Sequence, residues 1–217
     1  MKQITTFWKW FQTNEEAIKS AFLLGINTDE VFTHFLRNYH YISKRIGFLI
    51  YAPDKDSEKC KIVFTAEGYR KLFPKIIALE DQAPKLKHFI PQAFIKPMQQ
   101  VTKIKNGTDL PCSYENYEFK ISDLQVALID YNITIKQLKI KLYIPNYNEI
   151  KHFEELERDL KFLVMEIIGE IAFRKHIKHI EIDQTPRSIN GLLPLIELPD
   201  YIDYLYKINA RQKTRMI

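Results

Sequence analysis

The sequence predicts an α+β fold of two pseudo-repeated strand–strand–helix–strand units. They form a two-layer sheet-and-helix domain with N-terminal helices and a C-terminal helix. Three observations lead there. Leu138, Ile140, Leu142 and Ile144 alternate with Lys139, Lys141 and Tyr143, the period of two that marks a half-buried strand. Apolar residues at Ile150, Phe153, Leu156, Leu160, Leu163, Ile167, Ile168 and Ile171 recur every three or four positions, the stripe of one long amphipathic helix over 146–173. The order of elements around that helix repeats an order already met in the first half, and each unit closes before a proline, Pro97 and Pro186.

In chain order, Phe7, Trp8, Lys9, Trp10 and Phe11 precede Thr13-x-x-Glu16, a capping-box spacing that predicts a helix carrying Ile18, Ala21, Phe22 and Leu24. Gly25 is a suitable stop, and a second helix begins at Thr28 or Asp29. A strand at 48–51, a turn at Pro53-Asp54-Lys55-Asp56 and a strand through Cys60, Ile62 and Phe64 follow. Residues 67–73 look helical, Pro74 can begin a further helix with Ile76, Ile77 and Leu79, and 88–95 reads as the third strand.

The second unit places strands at 124–129, 138–144 and 177–182. Ile133 and Ile135 run in the opposite phase, which calls for a bulge or turn near Lys136-Gln137. Asn146 is a good N-cap with Glu149 in capping-box position, and Arg174, Lys175 and His176 complement the dipole at the helix end. The domain reading is a single domain over 1–217. Its sub-units are 1–98 and 117–199, joined by a polar connector at 99–116 in which Asn106-Gly107 suits a tight hairpin turn. Residues 200–217 form a C-terminal helix, starting with Tyr201, Tyr204 and Leu205, and a basic tail with Arg211, Lys213 and Arg215.

Composition excludes several classes. With 46% hydrophobic residues, 14 Phe and 12 Tyr, the chain is not a disordered or low-complexity one. The net charge of +5 is uneven: residues 1–110 hold 17 Lys/Arg against 11 Asp/Glu, and residues 111–217 hold 15 against 16. A basic first half suits an acidic partner such as nucleic acid, although scattered lysines are also the ordinary solvated face of such proteins. Cys60 and Cys112 make no disulfide framework, the N-terminus lacks an apolar signal core, and no stretch is long enough to span a membrane. A reducing, cytoplasmic setting is the expectation.

Motifs for chemistry are scarce. Phosphate-loop, dinucleotide, nucleophile-elbow and zinc-protease patterns are absent, and no cofactor is expected. His176 and His179, with Glu166 and Glu170 four apart before them, are the nearest approach to a ligand set. They match no recognised pattern, so no metal site is assigned. Cys60 alternates with apolar residues and reads as a buried thiol. Trp8 and Trp10, with Tyr39 and Tyr41 as neighbours, are the candidate partner-docking residues, set against the reading that the whole cluster is core.

Phe7-Trp8-Lys9-Trp10-Phe11-Gln12-x-Asn14-Glu15, then Thr65-Ala66-Glu67-Gly68 after a strand, and Leu72-Phe73-Pro74 carry a resemblance. So do Leu142-Tyr143-Ile144-Pro145-x-Tyr147 and Leu193-Pro194-Leu195-x-Glu197-Leu198-Pro199. In these the chain resembles a set of uncharacterised bacterial proteins with a W-x-W-F-x-x-N-E start. The resemblance implies a bacterial cytosolic protein with no assigned activity, and it carries over no functional residue. The functional expectation is a binding or interaction protein with a protein partner and no intrinsic catalysis. The alternatives are an enzyme or small-molecule binder with a cleft between the units, and a nucleic-acid binder using the basic first half.

Overall fold

The computed structural model describes residues 2–53, 58–99, 101–114, 117–132 and 134–214, with side chains except at 114 and after 207. Among them the fold is α+β, and the chain divides into two compact units, Met1–Ile95 and Lys96–Ile217.

The first unit opens with three helices, α1 (Lys2–Thr13), α2 (Glu15–Leu24) and α3 (Thr28–His40). The aromatic cluster lies inside α1 rather than ahead of a helix. Ile4, Phe7, Trp8 and Phe11 recur at three-to-four spacing and form its buried stripe. Thr13 is therefore no N-cap: it ends α1, and its hydroxyl donates back to the Lys9 carbonyl at 3.0 Å. Gly25 does end α2, in a left-handed conformation with its N–H on the Ala21 carbonyl.

Strands β1 (Gly47–Tyr51) and β2 (Cys60–Thr65) pair antiparallel, helix α4 (Phe73–Asp81) crosses over, and β3 (Phe89–Ala93) returns parallel to β2. The sheet order is β1-β2-β3. The 67–73 segment is not a helix: Glu67 and Gly68 both take positive φ, leaving only a 3-10 turn at Arg70–Leu72. Rings from α1 and α3 meet Phe64 and Phe89 of the sheet to make this unit's core. The expected turn at 54–56 lies outside the described residues.

The second unit contains α5 (Thr102–Lys105), the hairpin β4 (Cys112–Tyr114) and β5 (Tyr117–Phe119), and the long pair β6 (Gln125–Asn132) and β7 (Gln137–Ile144). Then come α6 (Tyr147–Ile150), α7 (Leu156–Ile168), α8 (Glu170–His176), β8 (Ile177–Gln184), β9 (Leu193–Pro194) and α9 (Leu198–Thr214). The sheet order is β8-β7-β6-β9, with β6 antiparallel and β8 parallel to β7. Both units thus share one topology, an antiparallel strand pair followed by a helical crossover to a parallel third strand. The alternation expected of β7 holds at every residue, and Leu138, Ile140, Leu142 and Ile144 are all buried.

Three local expectations fail here, and a fourth is met. The helix expected over 146–173 is three pieces: residues 151–155 separate α6 from α7, and Gly169, at φ 83° and ψ 147°, outside any helix, separates α7 from α8. That break resets the phase, so Ile171 of the expected stripe is exposed while Glu170 and His176 are buried. Asn146 is left-handed and makes no side-chain cap; the Gln184 side chain instead accepts the N–H of Asn148. Asn106-Gly107 closes α5 rather than a hairpin, Gly107 donating to the Ile104 carbonyl. The reversal before β7 does occur at Lys136, at φ 56°, while the bulge falls earlier, on β6 between Leu128 and Asp130. The side chains of Arg211 and Lys213, and Arg215 entirely, lie outside the described residues.

Candidate functional site

β1 is an edge strand. Its inner side pairs with β2, and among the described residues no strand pairs with its other side. The Gly47 carbonyl accepts the Tyr39 hydroxyl at 2.9 Å, and Phe48, Leu49 and Ile50 have no backbone partner beyond β2 among the described residues. All five residues of the strand are half-buried, a sign that it runs along a groove rather than across open surface.

The groove has a volume of about 530 Å³. Phe22 from α2, Phe32 and Leu36 from α3, and Phe48 and Ile50 from β1 line its apolar part. The sequence brings these together because α2 and α3 form an antiparallel helical hairpin closed by Gly25, which puts Phe22 6.2 Å from Phe32 ring to ring. Phe48 then meets Phe22 at 6.2 Å and Phe35 at 4.5 Å. Beyond the groove, the α2–α3 turn leaves Leu24 71% and Ile26 51% exposed, an apolar concentration rather than one isolated side chain. At its floor the Tyr39 phenol pKa is pushed up, first by burial and then by the nearby Glu67 carboxylate.

Gly47 begins β1 for a steric reason. A Cβ there would stand 2.6 Å from Glu67 Oε1 and 2.8 Å from Thr65 Cγ2. Any larger residue at 47 would have to displace the Glu67 and Thr65 side chains from this end of the strand.

The four aromatic residues singled out from the sequence do not share one surface. Trp8 is 2% exposed, with its indole N–H donating to the Leu79 carbonyl at 2.9 Å. Tyr39 is 1% exposed and stacks near Phe64. Both belong to the core, because α1 and α3 turn their apolar stripes inward together. Trp10 is half-buried against Phe35, and Tyr41 is 64% exposed beside a shallow hollow with Lys2, Gln3 and Asn38. Of the residues that line the β1 groove, only Tyr39 was among those singled out from the sequence; Phe22, Phe32, Leu36, Phe48 and Ile50 were not. Their only signal was a set of phenylalanines on two adjacent short helices followed by one on a strand.

The histidine pair is likewise separated. His176 is buried at the end of α8, its Nδ1–H donating to the Lys136 carbonyl at 3.1 Å, whereas His179 is exposed on β8. Among the described residues no group of three or more His, Cys, Asp or Glu is placed to hold a metal ion. Cys60 is buried, which pushes its thiol pKa up, away from nucleophilic use. No helix among the described residues is long and apolar enough to cross a membrane.

No protein-family model, curated protein or solved structure matches this chain.

Proposed function

We propose that this chain is an interaction protein that takes an extended, apolar segment of a protein partner along β1. The single observation that carries this reading is the coincidence of a strand edge, open at Phe48–Ile50 among the described residues, with an aromatic groove beside it. An extended peptide added to a sheet edge gains main-chain hydrogen bonds, and alternate side chains enter the adjoining groove for specificity. Here the ladder would be supplied by Phe48, Leu49 and Ile50, and the apolar wall by Phe22, Phe32 and Leu36. The reducing, cytoplasmic setting expected from the two unpaired cysteines suits such a role.

Peptide display on the full chain, counter-selected against Phe32→Glu, tests it. The expected result is enrichment of peptides with apolar residues at alternate positions, whose affinity by calorimetry falls at least tenfold in Phe32→Glu while the melting temperature stays within a few degrees. Peptides that bind both proteins equally, or no enrichment at all, would overturn the reading.

A further inference from the structure

In the second unit two ammonium groups converge on one tyrosine. Lys136 Nζ lies 3.9 Å and Lys175 Nζ 4.7 Å from the ring centroid of Tyr206 on α9. Their separation cannot exceed the sum of those distances, roughly 9 Å, a range over which like charges repel. His176 meets the same ring edge-on at 4.8 Å and is bonded to the Lys136 carbonyl, so the β6–β7 turn, the end of α8 and α9 are joined at this point.

Several lysines elsewhere in the unit stand against carboxylates. Lys139 faces Asp130, Lys141 faces Glu181 and Asp183, and Lys105 faces Asp200. Lys136 and Lys175 form no such ion pair among the described residues. Asp203, the acid whose charge reaches His176, makes no ion pair with either lysine among the described residues. Lys136 also occupies a left-handed turn position at φ 56°, a conformation that glycine or asparagine adopts more readily than lysine. The turn geometry alone does not ask for this side chain.

We propose that Lys136 and Lys175 together bind one phosphate group of an anionic ligand, with Tyr206 holding both ammoniums in place. A phosphate placed between them accepts a charge-assisted hydrogen bond from each and removes their mutual repulsion. The ring is engaged by the cations, so recognition is of charge. The phosphate can belong to a free or monoester phosphate or to a nucleic-acid backbone. This site is independent of the β1 groove, and neither proposal depends on the other.

The test uses the full chain at fixed ionic strength, titrated with inorganic phosphate and separately with a twelve-nucleotide oligothymidine. The His176 and Tyr206 ring signals are followed by NMR. A saturable shift with phosphate alone assigns the site to free or monoester phosphate, one with the oligonucleotide alone assigns it to a diester backbone, and either supports the proposal. Lys136→Ala/Lys175→Ala should weaken the responding probe at least tenfold, and Lys161→Ala should not. Lys136→Gly guards against a folding artefact: it relieves the left-handed turn, so it should melt no lower than the parent yet still lose binding. No saturable shift with either probe, or unchanged binding in Lys136→Gly and the double variant, would overturn the proposal.

Discussion

The ring of Pro97 packs against Gly169 so closely that a Cβ on the glycine would stand 2.8 Å from Pro97 Cδ and 3.0 Å from its backbone nitrogen. One residue on, the N–H of Met98 donates to the Glu166 carbonyl at 3.0 Å. A carbonyl left over at the end of α7 is thereby satisfied by the incoming chain. The break between α7 and α8 is thus where the start of the second unit is fastened to its crossover.

Gly169→Ala should therefore destabilise the protein by about 3 kcal/mol, combining a backbone conformation that only glycine tolerates with a steric clash. Urea denaturation measures it. Pro97→Ala in the same chain should recover part of the loss, since the two residues are in contact and their effects do not add. Equal losses with and without Pro97 would show that the clash is absent.

Trp8→Ala should cost about 3–5 kcal/mol, the range for emptying a large aromatic site. Trp8→Phe should cost about 1 kcal/mol for the lost bond to Leu79, plus any void it leaves. Trp10→Ala should cost clearly less than Trp8→Ala, because Trp10 is only half-buried. Thermal melts of the three variants decide the order.

Glu15 is buried on α2, and its carboxylate accepts the backbone N–H groups of Lys87, His88 and Phe89 at the start of β3. Glu15→Gln keeps the size but replaces one acceptor oxygen by a donor that faces amides. A loss of about 2 kcal/mol is expected, with faster amide exchange at 87–89 as the local signature. Unchanged exchange there would place the stabilisation elsewhere.

His176 gives a pH prediction. Burial is the main cause that lowers its pKa, aided by Lys175 and Lys136, while the bond to the Lys136 carbonyl and the charge of Asp203 oppose it. The unfolded chain thus holds a proton on this ring at a pH where the folded chain does not. Stability falls as pH drops below the ordinary histidine value of 6.5. Between pH 7 and pH 5 the parent should lose more stability than His176→Gln, and parallel curves for the two would exclude this residue.

The β7 alternation was legible because it is a one-dimensional pattern, whereas the α1 stripe was passed over, its aromatic cluster being read as lying ahead of a helix. A residue that must face a core repeats at the period of its own element, whatever the element packs against. The same rule identified α2, α3, α4 and the strand–strand–helix–strand order of both units. It misled at 146–173, where an unbroken stripe concealed the break at Gly169. Glycine inside a helical pattern is tolerated in general, and only the approach of Pro97, more than seventy residues earlier in sequence, shows that this one interrupts the helix.

By itself the sequence determined that the chain is α+β, the strand–strand–helix–strand order of both units and the inward side of β7, since these follow from local periodicity and burial of apolar surface, while α1, the 67–73 segment and the breaks within 146–173 escaped it. Tertiary structure alone decided which aromatic residues remain accessible. Trp8 and Tyr39, conspicuous in the sequence, pack into the core, while Phe22, Phe32 and Phe48 come together beside a strand edge that no other strand covers among the described residues. The groove, the Glu15 clamp and the two ammoniums on Tyr206 each join residues distant in sequence. Their geometry depends on how elements pack across the fold, and no local period records that.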